Sequence, residues 1–227
     1  MDIKNLISHN SQLRAITAIF LIVGLWALFF YCPPIFFSIT VLITMLLMLH
    51  ELKSMLGLSL QFLLLAPLYP IIPCIILIYF NTSPEYKILL HYLFMIVFTF
   101  DSASYLAGKM YGKFWTTKKI IPRISPGKSW EGACGGYLIT TLLLLMMLVV
   151  QEKQIVTWHI CLLTAIICII AFAGDIFESY LKRSANIKDS GTILPGHGGL
   201  LDRFDAILFV SYFFFIFKDC LVTLFGA

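Results

Sequence analysis

The sequence predicts an all-α, polytopic membrane helix bundle of about seven transmembrane helices with two functional cytoplasmic loops. Of its 227 residues, 60% are hydrophobic and 12% are charged, and a soluble domain usually carries about twice that charged fraction. Apolar runs near or above about 17 residues, long enough to cross a bilayer, recur along the chain. Positive charge also falls almost entirely on alternate loops. These observations exclude an ordinary soluble domain.

The predicted spans are separated and shaped by proline. Pro33 and Pro34 end the first run, because proline lacks a backbone donor and clashes with the preceding turn. Pro67, Pro70 and Pro73 should kink the third run, which is either one kinked helix or two half-helices. A cleavable signal peptide is not indicated, since "YCPPIF" lacks a small-residue cleavage site. The spans lie at about 15–31, 34–50, 58–80, 88–108, 132–150, 157–181 and 203–222.

The distribution of positive charge sets the predicted orientation. With the N-terminus in the cytoplasm, only Lys87, Lys153 and Lys218 fall on the outer side, and the other thirteen lysines and arginines are cytoplasmic. This is a strong positive-inside bias. Both polar loops, 109–130 and 182–202, are then cytoplasmic. No polar linker divides the chain, so we expect one domain over 1–227, with a scaffold in 1–87 and a catalytic half in 88–227.

Acidic residues stand at the ends of three predicted spans: Asp101 in "FTFDSASYLAGK", Asp175 and Glu178 in "AFAGDIFESYLKR", and Asp202 and Asp205 in "GGLLDRFDAILF". An ionisable group at membrane depth is costly and normally faces a partner or a water-filled cavity. Three acidic span ends facing two basic loops therefore indicate a binding site.

Each acid also has a structural alternative. Asp202 is a candidate N-cap of the last helix, and the other acids are candidates for ion pairs with a nearby Lys or Arg. Asp175, Glu178 and Lys182 share one helical face, because they are spaced i, i+3 and i+7. Lys182 is thus a possible structural partner of Asp175.

The loop 182–202 has the composition of a Mg²⁺–phosphate site. Mg²⁺ prefers carboxylate and phosphate oxygens and keeps several waters, while glycines allow a tight turn whose amides approach an anion. The alternative, a basic loop on anionic lipid, leaves the acids and glycines unexplained. The glycines are Gly196, Gly198 and Gly199, and the cations that would neutralise phosphate are Lys182, Arg183, Lys188 and Arg203.

The other cytoplasmic loop contains "IPRISPGKSWEG", whose "GKS" suggests a Walker A motif. The first glycine of that motif would fall on Pro122 and no strand precedes it, so a P-loop is excluded. Ser125, Lys128 and Ser129 remain candidate phosphate donors, with Glu131 opening the fifth span.

Two histidine positions are less informative. His197 is either a phosphate donor or a turn residue. The pair His50–Glu51 is interpreted as an ordinary helix end, because no H-E-x-x-H motif follows from it.

Residues 179–205, "SYLKRSANIKDSGTILPGHGGLLDRFD", closely resemble the signature of phosphatidate cytidylyltransferases (CDP-diacylglycerol synthases). That signature has a Ser before Lys-Arg, then Lys-Asp, Pro or Gly, His-Gly-Gly and Asp-Arg-x-Asp at fixed spacings. The blocks "DSASYLAGKMYGK" at 101–113 and "SPGKSWEG" at 125–132 are similar to the same family. With Gly174–Asp175 they cover the C-terminal half.

The resemblance implies a multi-pass enzyme of a bacterial inner membrane that joins CTP and phosphatidic acid to give CDP-diacylglycerol and pyrophosphate, with Mg²⁺. It implies Asp175 and Asp202 as metal ligands, an active site facing the cytoplasm and no nucleic-acid partner, and it leaves a homodimer open. The catalytic set would be Asp175, Lys182, Arg183, Lys188, Asp189, His197, Asp202 and Arg203. The substrate-binding set would be Asp101, Ser125, Lys128, Ser129, Glu131, Glu178, Gly196, Gly198, Gly199 and Asp205.

Other classes fit less well. A transporter would place its acids in mid-membrane, commonly within repeated halves. A CDP-alcohol phosphotransferase needs D-G-x-x-D-x-x-A-R, which is absent. A related CTP-dependent enzyme acting on another lipid phosphate or a polyprenol remains the main alternative.

Overall fold

The structure is a computed structural model, and the first predicted span, 15–31, lies outside its described residues apart from Gly24. In the described part, five helices are long and apolar enough to cross a membrane, or six if one bent pair is counted as a span. The all-α polytopic fold is therefore confirmed, while the count of seven is not. The structure describes residues 24, 32–114, 116, 118–151, 157–191, 193 and 198–226.

The first described span is helix α1, Pro34–Leu56, which begins with proline in its first turn and ends at Gly57. The next span is built from three pieces, α2 (Leu60–Ala66), a π-helical turn (Pro67–Ile71) and α3 (Ile72–Thr82). Together they form one span of 23 residues, so the alternative of two half-helices is wrong. Pro67 and Pro70 lie in the π turn, where a wider turn accommodates a residue without an N–H, and Pro73 lies in the first turn of α3.

The middle of the chain carries two long helices on either side of a small hairpin. Helix α4 is Lys87–Phe114 and helix α5 is Trp130–Val150. Between them, β1 (Lys119–Ile121) pairs antiparallel with β2 (Ser125–Ser129). The following helix, α6, is Thr157–Ser184.

The last predicted span, 203–222, is not one straight helix. Helix α7 (Leu201–Ile216) and helix α8 (Lys218–Phe225) meet at about 90°. Lys218 begins α8, and its ammonium lies 3.0 Å from the hydroxyl of Tyr86. The bend therefore allows a charged group in the last apolar run to contact a polar partner. A straight helix in lipid would leave such a group without one.

Small residues place the acid-bearing helices side by side. A Cβ added at Gly132 of α5 would lie 2.8 Å from the carbonyl oxygen of Ser104 on α4. A Cβ at Gly174 of α6 would lie 2.6 Å from the carbonyl oxygen of Asp205 on α7. Such close backbone approach is typical of helix packing in membranes. It brings the C-terminal parts of α4 and α6 and the N-terminal ends of α5 and α7 around one space.

The apolar side chains divide between an interior and an outer surface. The largest fully buried ones include Tyr92, Phe37, Phe80 and Phe214. Many others, such as Leu142, which is 61% exposed, face outward. An apolar exterior of this kind is expected where lipid is the solvent.

Candidate active site

A cavity of about 560 Å³ lies between the C-terminal parts of α4 and α6 and the N-terminal ends of α5 and α7, beside the hairpin. The structure brings the acids of the three predicted span ends together in its wall, although the spans are far apart in sequence. The lining acids are Asp101, Asp175, Glu178, Asp202 and Asp205.

Basic groups from the hairpin and from three helices line the same cavity as these acids. Lys119 and Lys128 come from the hairpin, Lys182 from the end of α6, and Arg203 from the first turn of α7. Lys109 adds a further cation from α4. The wall thus carries both signs of charge, which suits a phosphate compound accompanied by a cation.

Asp175 is paired with the hairpin, not with its own helix. Its Oδ2 contacts the ammonium of Lys128, and both side chains are about one fifth exposed. The ammonium also lies 4.5 Å from the centroid of the Phe172 ring, within the range of a cation–π contact. The predicted alternative of an Asp175–Lys182 pair is therefore wrong. Helical spacing showed which residues share a face but gave no information on a loop that folds back onto it.

Lys182 instead joins two other acids. Its ammonium lies 2.5 Å from Glu178 Oε2 and also contacts Asp202 Oδ1. All three side chains are largely buried, at 13%, 2% and 9% exposure respectively. The other oxygen of Glu178, Oε1, is buried and has no hydrogen-bond partner among the described residues.

Asp202 organises the turn before α7. Its Oδ2 accepts hydrogen bonds from the backbone N–H of Ser190 at 3.0 Å and of Gly199 at 2.9 Å. The N-cap of α7 is Leu200, and Asp202 lies within the first turn, so the predicted alternative of Asp202 as N-cap is wrong. Gly198 has φ +79°, and a Cβ there would lie 2.8 Å from Asp202 Oδ2. A tight glycine turn was predicted here, and at Gly198 the backbone requires glycine.

Several predicted site residues lie outside the cavity wall. Lys188 and Asp189 are exposed on the loop after α6. Arg183 donates to two backbone carbonyls, from Nε to Ile124 at 3.3 Å and from Nη1 to Ile187 at 3.2 Å. Gly196 and His197 lie outside the described residues.

The predicted residues of the hairpin loop divide in the same way. Lys128 and Ser129 line the cavity, and Ser129 also caps α5 by accepting from the N–H of Gly132 at 3.2 Å. Ser125 begins β2 away from the cavity wall. Glu131 Oε1 accepts from the N–H of Lys118 at 3.1 Å, which ties the hairpin to the start of α5.

Glu51 was not predicted as a site residue from the sequence. It is 2% exposed near the end of α1, and its carboxylate accepts hydrogen bonds from Ser190 Oγ and from the backbone N–H of Leu200 and Leu201. Its interpretation as an ordinary helix end is wrong. The signal was available, because Glu51 is a further acid at the end of an apolar run, on the side predicted to be cytoplasmic, like the acids of the other three spans.

The donor set fits a hard cation held jointly with phosphate. Among the described residues, no group of three or more His, Cys, Asp or Glu side chains could hold a metal ion by itself. Mg²⁺ is usually bound through one or two carboxylates together with substrate phosphates and water. A wall of five carboxylates with a buried, unpartnered Glu178 oxygen is compatible with that mode.

The fold and the cavity define a polytopic α-helical membrane protein with a site of mixed charge at one rim of the bundle. The model of the cytidylyltransferase family matches residues 58–221, more than half of the chain. The chain therefore belongs to the cytidylyltransferase family.

Similar proteins span different shares of the chain. A phosphatidate cytidylyltransferase of Rickettsia prowazekii is 33% identical over 218 residues, which are 91% of each chain. One of Rickettsia conorii is 30% identical over 222 residues, 95% of this chain and 94% of that relative. One of Haemophilus influenzae is 39% identical over 136 residues, 56% of this chain and 46% of that relative. The chain thus spans about half the length of the last relative and over nine tenths of the other two.

Proposed function

We propose that this protein transfers the cytidylyl group of CTP to phosphatidic acid, giving CDP-diacylglycerol and pyrophosphate. The single observation that carries the proposal is the cavity of mixed charge at one rim of the helix bundle, in a chain of the cytidylyltransferase family. At the surface of a membrane, a site at the rim of the bundle would be accessible both to a lipid headgroup and to a nucleotide in solution. The named activity of the similar proteins supports the choice of phosphatidic acid.

The reaction needs no nucleophilic side chain. A phosphate monoester has a second pKa of about 6, so the lipid phosphate is mostly a dianion at neutral pH. One of its oxygens attacks the α-phosphorus of CTP, the bond from that phosphorus to the β-phosphate oxygen breaks, and pyrophosphate leaves with that electron pair. No proton has to be removed first. The enzyme then contributes mainly positioning and charge neutralisation.

The cations of the cavity wall would serve the phosphates. Lys128 and Lys119 reach the cavity from the hairpin side, and Arg203 reaches it from α7. An arginine presents a planar fork suited to bidentate contact with phosphate oxygens. Lys182, held between Glu178 and Asp202, fixes the arrangement of those two carboxylates.

Mg²⁺ is proposed as the cofactor, and when bound it would neutralise phosphate charge and orient the triphosphate. Asp175 and Asp202 remain the proposed ligands, with Asp101, Glu178 and Asp205 as neighbouring oxygen donors in the same wall. The oxygens of Asp202 already accept hydrogen bonds from Lys182, Ser190 and Gly199. Asp175, which contacts Lys128, is the more accessible of the two.

We further propose that the protein lies in a bacterial inner membrane and that its cavity opens to the cytoplasm. The support is the positive-inside bias, because both loops that reach the cavity are rich in lysine and arginine. A homodimer is compatible with the outward apolar faces, and the proposal does not depend on it.

A panel of lipid acceptors tests the proposed substrate. Purified protein in detergent is mixed with CTP, Mg²⁺ and, separately, phosphatidic acid, a polyprenyl phosphate or diacylglycerol, with the Asp175→Asn protein as the matched control. We expect equimolar pyrophosphate and lipid-linked cytidylate with phosphatidic acid only. Product from the polyprenyl phosphate alone would favour the alternative substrate, and absence of pyrophosphate with every phosphate lipid would overturn the proposal.

A further inference from the structure

Glu51 connects the N-terminal scaffold to the loop that precedes α7. Its Oε1 lies 2.9 Å from the N–H nitrogen of Leu200. Its Oε2 lies 2.9 Å from the N–H nitrogen of Leu201 and 3.0 Å from Ser190 Oγ. These partners follow Glu51 by 139 to 150 residues. The side chain is 2% exposed, so the contacts are made away from solvent.

The contacts around Ser190 indicate that its hydroxyl donates its proton to Glu51. Ser190 Oγ lies 3.0 Å from Glu51 Oε2 and 3.1 Å from Asp202 Oδ2, and a hydroxyl has one proton to donate. Asp202 Oδ2 already accepts from the N–H groups of Ser190 and Gly199. With the proton on the Glu51 side, the Glu51 carboxylate accepts from three donors, and a buried carboxylate needs such partners.

Glu51 replaces the cap that α7 lacks. The first N–H groups of a helix have no partner within the helix, and the N-cap residue Leu200 provides no side-chain hydrogen bond. The Glu51 carboxylate accepts from Leu200 and Leu201 at this helix end. A negative charge is also favoured there by the helix dipole.

The surrounding loop leaves room for this carboxylate. A Cβ added at Gly191 would lie 2.6 Å from Glu51 Oε1, and one at Gly199 would lie 2.6 Å from Glu51 Oε2. Two glycines of the loop therefore permit the close approach of Glu51, a second observation independent of the hydrogen bonds.

We propose that Glu51 is a positioning residue for the cytidylyl transfer, a role that rests on the proposed function above. It fixes the start of α7, and the first turns of α7 carry Asp202, Arg203 and Asp205 into the cavity. Glu51 does not line the cavity itself, and it lies outside the segment matched by the family model. Its effect on the reaction is exerted through Ser190 and the backbone of α7.

The test uses Glu51→Gln, with Glu85→Gln as a matched control, because Glu85 is an exposed glutamate in the loop before α4. The glutamine amide would place an N–H group where the Glu51 carboxylate accepts hydrogen bonds from the backbone N–H groups of Leu200 and Leu201. We expect hydrogen–deuterium exchange at the amides of residues 200 and 201 to become at least about tenfold faster. We also expect kcat to fall about 10²-fold, since a misplacement of about 1 Å costs this much. The KM for CTP should change less than kcat, and Glu85→Gln should match the wild type.

The exchange measurement needs no substrate, so it separates this proposal from the proposed function. A wild type without turnover would contradict the function, while the exchange rates would still test the contact. Unchanged exchange in Glu51→Gln, or faster exchange with kcat per folded molecule unchanged, would overturn the positioning role. If Glu51→Gln does not yield folded protein, Glu51→Asp withdraws the carboxylate by one methylene and is judged by the same two readouts.

Discussion

Asp175 shows how the charges of this site are paired across elements. Its carboxylate lies on α6, and its partner Lys128 lies on the hairpin that precedes α5. The pair therefore joins the hairpin to α6 in the wall of the cavity where the proposed substrates would bind. Because both side chains are about one fifth exposed, Asp175 is accessible to a ligand.

The variant Asp175→Asn separates a ligand-binding carboxylate from a structural ion pair. Asn has nearly the same shape but a neutral and weaker oxygen donor. We expect turnover to fall at least about 10²-fold with little change in thermal stability in detergent, because a charge that stabilises the transition state is lost. The measurement is pyrophosphate release as a function of Mg²⁺ concentration. Near-normal turnover with unchanged Mg²⁺ dependence would contradict this assignment.

The double variant Asp175→Asn/Lys128→Gln is the companion measurement. If the ion pair were purely structural, the double variant would recover what the single change lost, since the unpaired lysine would be gone. We expect no recovery of turnover, because Lys128 also lines the cavity.

At the scale of elements, the hairpin depends on the end of α6. Arg183 donates to the carbonyl of Ile124, in the turn between β1 and β2. Arg183 was predicted to contact phosphate; its position in the structure favours a role in holding the hairpin, which carries Lys119 and Lys128 to the cavity.

The variant Arg183→Gln tests that role. A hydrogen bond from a charged donor contributes about 1.5–3 kcal/mol to stability. We therefore expect kcat to fall roughly tenfold and trypsin to cleave the hairpin faster. The control is Lys53→Gln, which removes an exposed positive charge from α1. Lower turnover without faster hairpin cleavage would indicate instead that Arg183 acts directly on substrate.

The sequence predicted the long helices well and the irregular elements poorly. Apolar length alone placed the spans of α4, α5 and α6 to within several residues of their observed bounds. The hairpin was not predicted, because "KII" and "SPGKS" have no alternating pattern and are fixed by contacts such as that of Glu131 with Lys118. The break at Phe217 was not predicted either, and the Tyr86 hydroxyl that Lys218 contacts next to it is distant in sequence.

The candidate site was predicted in composition more than in arrangement. Acids at span ends were informative because lipid makes an isolated charge costly. Which lysine pairs with which acid was not predictable, because pairing depends on the packing of separate helices. Glu51 illustrates the limit, since its partners become neighbours only when α1 packs beside the start of α7.

At the scale of the whole molecule, the orientation in the membrane is open to a direct test. We expect the segments around Lys118 and Ser184 to face the cytoplasm, as the charge bias requires. Single cysteines at these exposed positions, in a background without the native cysteines, should resist impermeant thiol reagents added to intact cells. A cysteine at Glu85, on the opposite side, should be labelled. Labelling at 118 or 184 from outside would contradict the orientation.

The most direct test of the central claim follows the phosphorus atoms of CTP. Purified protein is given phosphatidic acid and CTP labelled with ³²P at either the α or the γ position. We expect the α label in the lipid product and the γ label in pyrophosphate, in equal amounts. Transfer of the γ label to lipid, or release of the α label only as free nucleotide, would contradict cytidylyl transfer by this protein.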